Sequence, residues 1–211
     1  MSPSVFETPS DGDLILPERF TIISSSLNVQ PHTEAEFNKA IDTLGAGLII
    51  FKAEEYDSIL MGGIPLGTQR GFAAEQEVVF KLSQQIEMPV STAIGATIEA
   101  LKQLRVKTTV IAASYKESIN QAVKKYYAGG VKVLASEGLA VSKPVDQVEL
   151  PDYSSHKVAS ELFRAHPEAE SLLPQSHWRT IAYMQQLEND IDRFVVSSAA
   201  ASIRWVMKTL G

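Results

Sequence analysis

The stretch that decides the fold is Ser58-Ile-Leu-Met-Gly-Gly-Ile-Pro-Leu-Gly-Thr-Gln-Arg-Gly71. Apolar residues from Ile59 run into Gly62-Gly63, and a loop broken by glycine and proline leads to a helix that begins near Phe72. This order predicts a buried strand, a tight turn and a helix start. Ligands of open parallel sheets bind at the carboxyl ends of strands, where free backbone N–H groups suit an anion. The turn is therefore a candidate anion site, although ordinary turns between a strand and a helix also contain glycines that serve only packing.

Predicted strands and helices alternate on both sides of this stretch. The strands cover Phe20–Ser26, 89–93, 107–113, 131–135, 170–173 and 194–196. The helices run from Thr33 past Leu44 and cover 72–85, 93–104, 116–127, 155–165, 179–187 and 199–210. The segment 136–154 has the composition of an irregular connection. Regular alternation of this kind predicts an α/β fold with parallel sheets.

Composition excludes several classes of function. The chain has 211 residues, 45% of them hydrophobic, a net charge of −6, and lysines and arginines that are scattered. A nucleic-acid partner would need a basic stripe, so none is expected. No apolar run approaches the ~18 residues of a membrane span, and no export signal is seen at the N-terminus, so we expect a cytoplasmic protein without a membrane partner. The absence of cysteine excludes disulfides, thiolate metal sites and thiol catalysis.

Three predicted strand tips carry polar or glycine residues. They are Gly62-Gly63, Ser114-Tyr115 and Gln175-Ser176-His177. Two of them lie in different halves of the chain with a similar local order of residues. This suggests two related α/β units that face each other across a cleft.

Several motifs resemble the Asp/Glu racemase superfamily, nearest its branch of arylmalonate decarboxylase and maleate cis-trans isomerase. They are Leu60-Met-Gly-Gly63 with Arg70-Gly71, then Ala112-Ala-Ser-Tyr115, Gly138-Leu139 and Val195-Val-Ser-Ser198. The resemblance covers nearly the whole chain in the right order. It implies two pseudo-symmetric Rossmann-like domains with four-stranded parallel sheets and an active site between them. The corresponding division is residues 1–90 with 195–211 for the first half and 91–194 for the second.

The resemblance also implies the ligand and the residues that contact it. In the family a small carboxylate lies in the cleft, held by backbone N–H groups and hydroxyls, without metal or organic cofactor. Tyr115 matches the cleft tyrosine of the family. The oligomeric state stays open, with a homodimer as one alternative. The expected substrate-binding residues are Pro3, Ser4, Gly62, Gly63, Ile64, Ser114 and Gln175.

The chain departs from the family at the atoms that move protons. The two cysteine positions fall on Gly62 and Gln175, so neither a two-thiol racemisation nor a covalent isomerisation through cysteine is feasible. Next to the glycine turn, Gly63 and Ile64 stand where the decarboxylase has hydroxyls, which favours a less polar ligand. Ser2-Pro3-Ser4 matches the family's N-terminal turn, but the strand that precedes that turn is missing. We expect either a start internal to the natural gene product or a first sheet that lacks a strand.

The remaining candidates for proton transfer are His177, Ser176 and Tyr115. Histidine titrates near neutral pH and can protonate a carbanion, although His177 beside Trp178 can equally be a histidine without chemistry. Tyr115 can donate a hydrogen bond to a bound carboxylate or enolate, or cap a helix start. The predicted function is a cofactor-independent decarboxylase or isomerase that forms an enolate-like intermediate. The alternatives are a non-catalytic descendant that binds a carboxylate or a partner, and a different cofactor-free reaction on an apolar substrate.

Overall fold

The computed structural model describes residues 15–23, 35–36, 38–40, 55–68, 71–115, 117–140, 153–175 and 180–211, and strands alternate with helices along this part of the chain. The strands are β1 (Ile59–Met61), β2 (Val90–Thr92), β3 (Thr108–Ala113), β4 (Lys132–Gly138), β5 (Ser171–Pro174) and β6 (Phe194–Val195). The helices are α1 (Ile64–Thr68), α2 (Phe72–Ile86), α3 (Ala93–Gln103), α4 (Glu117–Tyr127), α5 (Tyr153–Ala165), α6 (Ile181–Ile191) and α7 (Ser198–Leu210).

These strands form two parallel sheets. In the first sheet β1 pairs with β2, with Ile59 opposite Val90 and Met61 opposite Thr92. The second sheet has the order β4-β3-β5-β6, and all its neighbours are parallel. The predicted α/β fold with parallel sheets is therefore confirmed. The division of the chain into two halves stays a prediction.

The second sheet is covered on both faces because successive side chains of a strand point to opposite sides. Along β3, Ile111 and Ala113 join an apolar cluster with α3, α4 and α7. Val110 and Ala112 between them join another cluster with α5 and α6. Helices on both faces leave the carboxyl edge of the sheet as the place where polar groups collect.

Three expectations need correction. Of the predicted strand Phe20–Ser26, residues 20–23 are described, and they form no strand: the Phe20 N–H closes a turn on the Pro17 carbonyl at 3.0 Å. The predicted loop after Gly63 contains the short helix α1, in which Gly67 permits close packing, since a Cβ there would lie 2.6 Å from Ile94 Cγ2.

The third correction concerns the start of the predicted irregular segment 136–154. Ser136, Glu137 and Gly138 extend β4, because they pair with β3 after a register shift between Thr109 and Val110. Here sheet pairing overrides the low strand propensity of the three residues. Residues 141–152 lie outside the described part of the chain. Among the described helices, none has both the length and the apolar character that a membrane span requires.

Candidate active site at the carboxyl edge of the second sheet

The carboxyl ends of β3, β5 and β6 lie side by side. Ala112 of β3 is opposite Pro174 of β5, and Leu172 of β5 is opposite Val195 of β6. The ladder continues past these pairs: the Gln175 N–H donates to the Ala112 carbonyl at 2.9 Å, and the Val196 N–H donates to the Leu172 carbonyl at 3.0 Å. The residues that follow each strand therefore share one edge of the sheet.

Buried polar atoms without partners mark this edge. Ser114, Gln175 and Ser198 are each at most 1% exposed. Within the described part of the chain, Ser114 Oγ, Gln175 Oε1 and Ser198 Oγ have no hydrogen-bond partner. Leaving such a group unsatisfied costs about 1–3 kcal/mol, so native proteins keep few of them without a reason. Two of these groups follow strands and the third begins α7, so the edge is a candidate site for a polar ligand.

Helix α7 begins at the same edge. Ser197 caps it, since the Ser197 hydroxyl accepts the Ala200 N–H at 3.1 Å and the Ser197 carbonyl accepts the Ala201 N–H at 3.0 Å. The N–H groups in the first turn of a helix that remain unbonded carry the positive end of the helix dipole. The N-terminus of this 13-residue helix lies beside buried hydroxyls and is therefore a favourable position for a carboxylate.

Tyr115 follows Ser114 after the end of β3, and both its side chain and its carbonyl group are fixed by contacts. It is 2% exposed and belongs to the apolar cluster that contains Ile111 and Ala113 of β3. Its carbonyl accepts a hydrogen bond from Asn120 Nδ2 at 3.3 Å. Gly138 lies against the same carbonyl so closely that a Cβ on it would be 2.9 Å from the oxygen. No sequence pattern pointed to Asn120, and Gly138 was named in the sequence analysis only as part of a family motif.

The glycine turn follows β1, as predicted. Gly63 has φ 84°, a conformation that glycine adopts without strain, and α1 begins at the next residue. Ile64 is fully buried in the same apolar cluster as Tyr115, Leu173 and Val196. The turn and the edge of the second sheet thus adjoin one core. Contact of Gly62, Gly63 and Ile64 with a ligand stays a prediction.

The other predicted site residues lie outside the described part of the chain. They are Pro3 and Ser4 near the N-terminus, and Ser176 and His177 after β5. Their roles in binding and proton transfer stay predictions.

A buried carboxylate that the sequence did not indicate lies at the carboxyl end of the first sheet. Glu75 is 6% exposed, and its oxygens accept hydrogen bonds from Thr92 Oγ1 at 2.6 Å, Tyr126 Oη at 2.7 Å and Gln76 Nε2 at 2.6 Å. The contacts tie α2 to the end of β2 and to α4. Burial, followed by the negative charge of Glu75, raises the pKa of Tyr126 far above its ordinary value.

The neighbouring tyrosine holds the amide of Gln175. Tyr127 is fully buried, and Gln175 Nε2 donates to its phenolic oxygen at 3.5 Å. Burial raises the pKa of Tyr127 to about 12, against the opposing effect of side-chain hydrogen bonds with Gln175 and Thr97. The phenol is therefore neutral over the physiological range and serves as a hydrogen-bonding group.

The fold and this edge define a class of protein: α/β, with two parallel sheets and a polar, anion-suited site at the strand ends. The family model of arylmalonate decarboxylase matches residues 1–211, so the chain belongs to the arylmalonate decarboxylase family. A search of curated proteins found no match.

Solved structures agree on the fold. A mutant of arylmalonate decarboxylase in its liganded form is 18% identical, with a TM-score of 0.91 over 100% of this chain and 90% of that one. Maleate cis-trans isomerase from Nocardia farcinica, a mutant with a covalently bound succinylcysteine intermediate, is 18% identical, with a TM-score of 0.85 over 99% and 90%. Maleate isomerase from Pseudomonas putida S16, crystallised with maleate, is 17% identical, with a TM-score of 0.80 over 94% and 81%.

Proposed function

We propose that this chain is a cofactor-free enzyme that acts on a small carboxylate through an enolate-like intermediate, without a catalytic thiol. The observation that carries the proposal is the set of unpaired polar atoms at the ends of β3, β5 and β6, beside the start of α7. The names of the related structures, which include liganded arylmalonate decarboxylase and maleate-bound isomerase, supply the class of ligand.

The chemistry follows from charge stabilisation. In a decarboxylation the bond between the α-carbon and one carboxyl breaks, carbon dioxide leaves, and the electron pair enters an enolate of the group that remains. Fixed N–H groups and hydroxyls that face the enolate oxygens lower the energy of this intermediate. Ser114, Tyr115 and the start of α7 would provide them from the second sheet, and Gly62-Gly63 from the first. A proton delivered to the α-carbon completes the reaction.

The proton donor must be a group other than a thiol or Gln175. An amide does not ionise near neutral pH, so Gln175 can bind but cannot relay a proton. His177 is the donor that we favour, with Ser176 and Tyr115 as alternatives. A histidine is suited to this role because its pKa lies near the working pH.

The test measures chemistry and binding separately. The protein is incubated in D₂O with phenylacetate, and proton NMR reports exchange of the α-proton. In a second incubation with phenylmalonate, proton NMR reports decarboxylation. The wild-type protein should catalyse at least one of these reactions, and His177→Ala should abolish it while the same acid still binds. His166→Ala is the matched control, because His166 is half-buried beside Glu168 on the connection before β5. Full activity in His177→Ala would end its role as donor.

A second candidate, a carboxylate-binding protein without catalysis, is supported by the replacement of both family cysteine positions with Gly62 and Gln175. It predicts that acids raise the melting temperature, since a ligand that binds only the native state stabilises it, while neither NMR assay shows turnover. A third candidate, a different cofactor-free reaction on an apolar substrate, is supported by Ile64 at the position where the family has a hydroxyl. It predicts that arylacetates bind better than dicarboxylates in the same binding series. Absence of stabilisation by any acid would refute all three.

A further inference from the structure

The orientation of the Gln175 amide follows from its contact with Tyr127. Gln175 Nε2 donates a hydrogen bond to the phenolic oxygen of Tyr127 at 3.5 Å.

In this contact the NH₂ group of Gln175 is turned to Tyr127, and the phenolic oxygen is the acceptor. Both side chains are fully buried, so water does not compete for these groups.

The free end of the amide is therefore Oε1, an atom that only accepts. Within the described residues it has no partner, and the ladder places it beside the tips of β3 and β6. The neighbouring unpaired groups, Ser114 Oγ and Ser198 Oγ, are hydroxyls that can donate. A bare carboxylate offers no proton to Oε1 and would bring two electron-rich oxygens together.

We propose that the ligand of this site is a carboxylic acid that also carries a neutral hydrogen-bond donor, a hydroxyl or a carboxamide N–H, which meets Gln175 Oε1. The inference rests on the proposed carboxylate function and narrows its substrate class to hydroxy acids and amide-bearing acids. The carboxylate accepts from the serine hydroxyls and the N–H groups at the start of α7. Gln175 is then the residue that selects acids carrying a hydrogen-bond donor over acids without one.

Matched pairs of acids test the selection by isothermal titration calorimetry. Malate differs from succinate, and mandelate from phenylacetate, by one hydroxyl. The hydroxy acid should bind about 10- to 100-fold more tightly in at least one pair, the effect of satisfying a buried acceptor. Binding of both pairs without a preference would overturn this inference and leave the carboxylate function standing. If no acid binds, the carboxylate function fails and the inference fails with it.

Variants of these two residues test the cause. Gln175→Met removes the acceptor at similar volume and should reduce the preference to less than about threefold. Thr109→Val is the control, a fully buried polar residue bonded to Ser171 at the opposite end of β3, and it should keep the preference.

Tyr127→Phe removes the oxygen that holds the Gln175 amide. It leaves the amide free to take either orientation, and the preference should fall toward parity. A melting curve of each variant confirms that it is folded before titration. An undiminished preference in both Gln175→Met and Tyr127→Phe would overturn the proposal.

Discussion

Removal of the Tyr126 hydroxyl should destabilise the protein by an amount that disappears at high pH. The hydroxyl donates to Glu75 Oε2 at 2.7 Å, and its side chain is 1% exposed. A hydrogen bond to a charged group contributes about 1.5–3 kcal/mol. Tyr126→Phe keeps the ring and its edge contact with Phe72 at 5.5 Å between centroids, so the loss is confined to this bond. We expect a decrease of about 2 kcal/mol in the free energy of unfolding at pH 7.

The pH dependence follows from the raised pKa of Tyr126. Burial and then the charge of Glu75 keep the phenol protonated in the folded protein, whereas the unfolded chain loses this proton near pH 10. The stability that Tyr126 contributes is therefore fully present below pH 10 and is lost as the pH rises above it, by about 1.4 kcal/mol per pH unit. The phenylalanine variant lacks this loss. The difference of ~2 kcal/mol should vanish near pH 11.5, about 1.5 units above the unfolded pKa.

Urea unfolding at pH 7, 9, 10 and 11 measures the difference directly. Burial raises the pKa of Tyr127 to about 12, so Tyr127 adds the same pH dependence to the free energy of unfolding of wild type and variant. This contribution cancels when the two proteins are compared. Tyr153→Phe is the control, because Tyr153 is 67% exposed, and it should change the free energy of unfolding by less than about 0.5 kcal/mol. An unchanged stability in Tyr126→Phe at pH 7, or a difference that persists undiminished at pH 11, would refute the reasoning.

Three further predictions concern the backbone around the site. Gly63→Ala and Gly71→Ala should each lower the free energy of unfolding, measured in urea, by about 1–2 kcal/mol, because both glycines have positive φ (84° and 78°). Only Gly63→Ala should weaken the binding of carboxylates, and equal binding losses in the two variants would contradict an anion site at the Gly62-Gly63 turn. Gly138→Ala should cost about 2–3 kcal/mol, since its Cβ would lie 2.9 Å and 3.0 Å from two backbone oxygens; a neutral effect would disprove this contact. Ser197→Ala should lower stability by about 1 kcal/mol through loss of the cap on α7, and an unchanged melting temperature would count against the cap.

Local patterns were sufficient to predict most of the described elements of the fold from Ser58 onward. The β-branched run that ends at Ala113 and the apolar run that ends at Leu173 are strands, and each predicted helix from Phe72 onward is a helix, within a few residues at its ends. Apolar runs and glycine or proline boundaries are local properties, so the sequence contains them. The strands before Ser114 and Gln175 share one sheet, and their ends lie on the same side because the strands are parallel. Gly62-Gly63 follow a strand of the other sheet.

Long-range contacts were beyond the reach of such patterns. Glu75 is one polar residue in the first turn of an amphipathic helix, and only the approach of Thr92 and Tyr126 makes it a buried acceptor. Gly138 has the composition of a loop, yet pairing with β3 extends the strand through it. The direction of the Gln175 amide depends on Tyr127, which lies 48 residues away in the chain. Each of these features is set by tertiary packing and not by neighbours in the chain.

The hydrogen bond to Tyr127 also limits what Gln175 can do for a reaction. At the position where the family resemblance places a thiol, this chain has an amide that does not ionise and whose NH₂ group donates to Tyr127. Under the proposed function, proton transfer moves to another group and Gln175 acts by positioning a donor on the ligand. Restoring a thiol alone, by Gln175→Cys, should remove the preference for hydroxy acids, whether or not it restores turnover, because the acceptor is lost in either case.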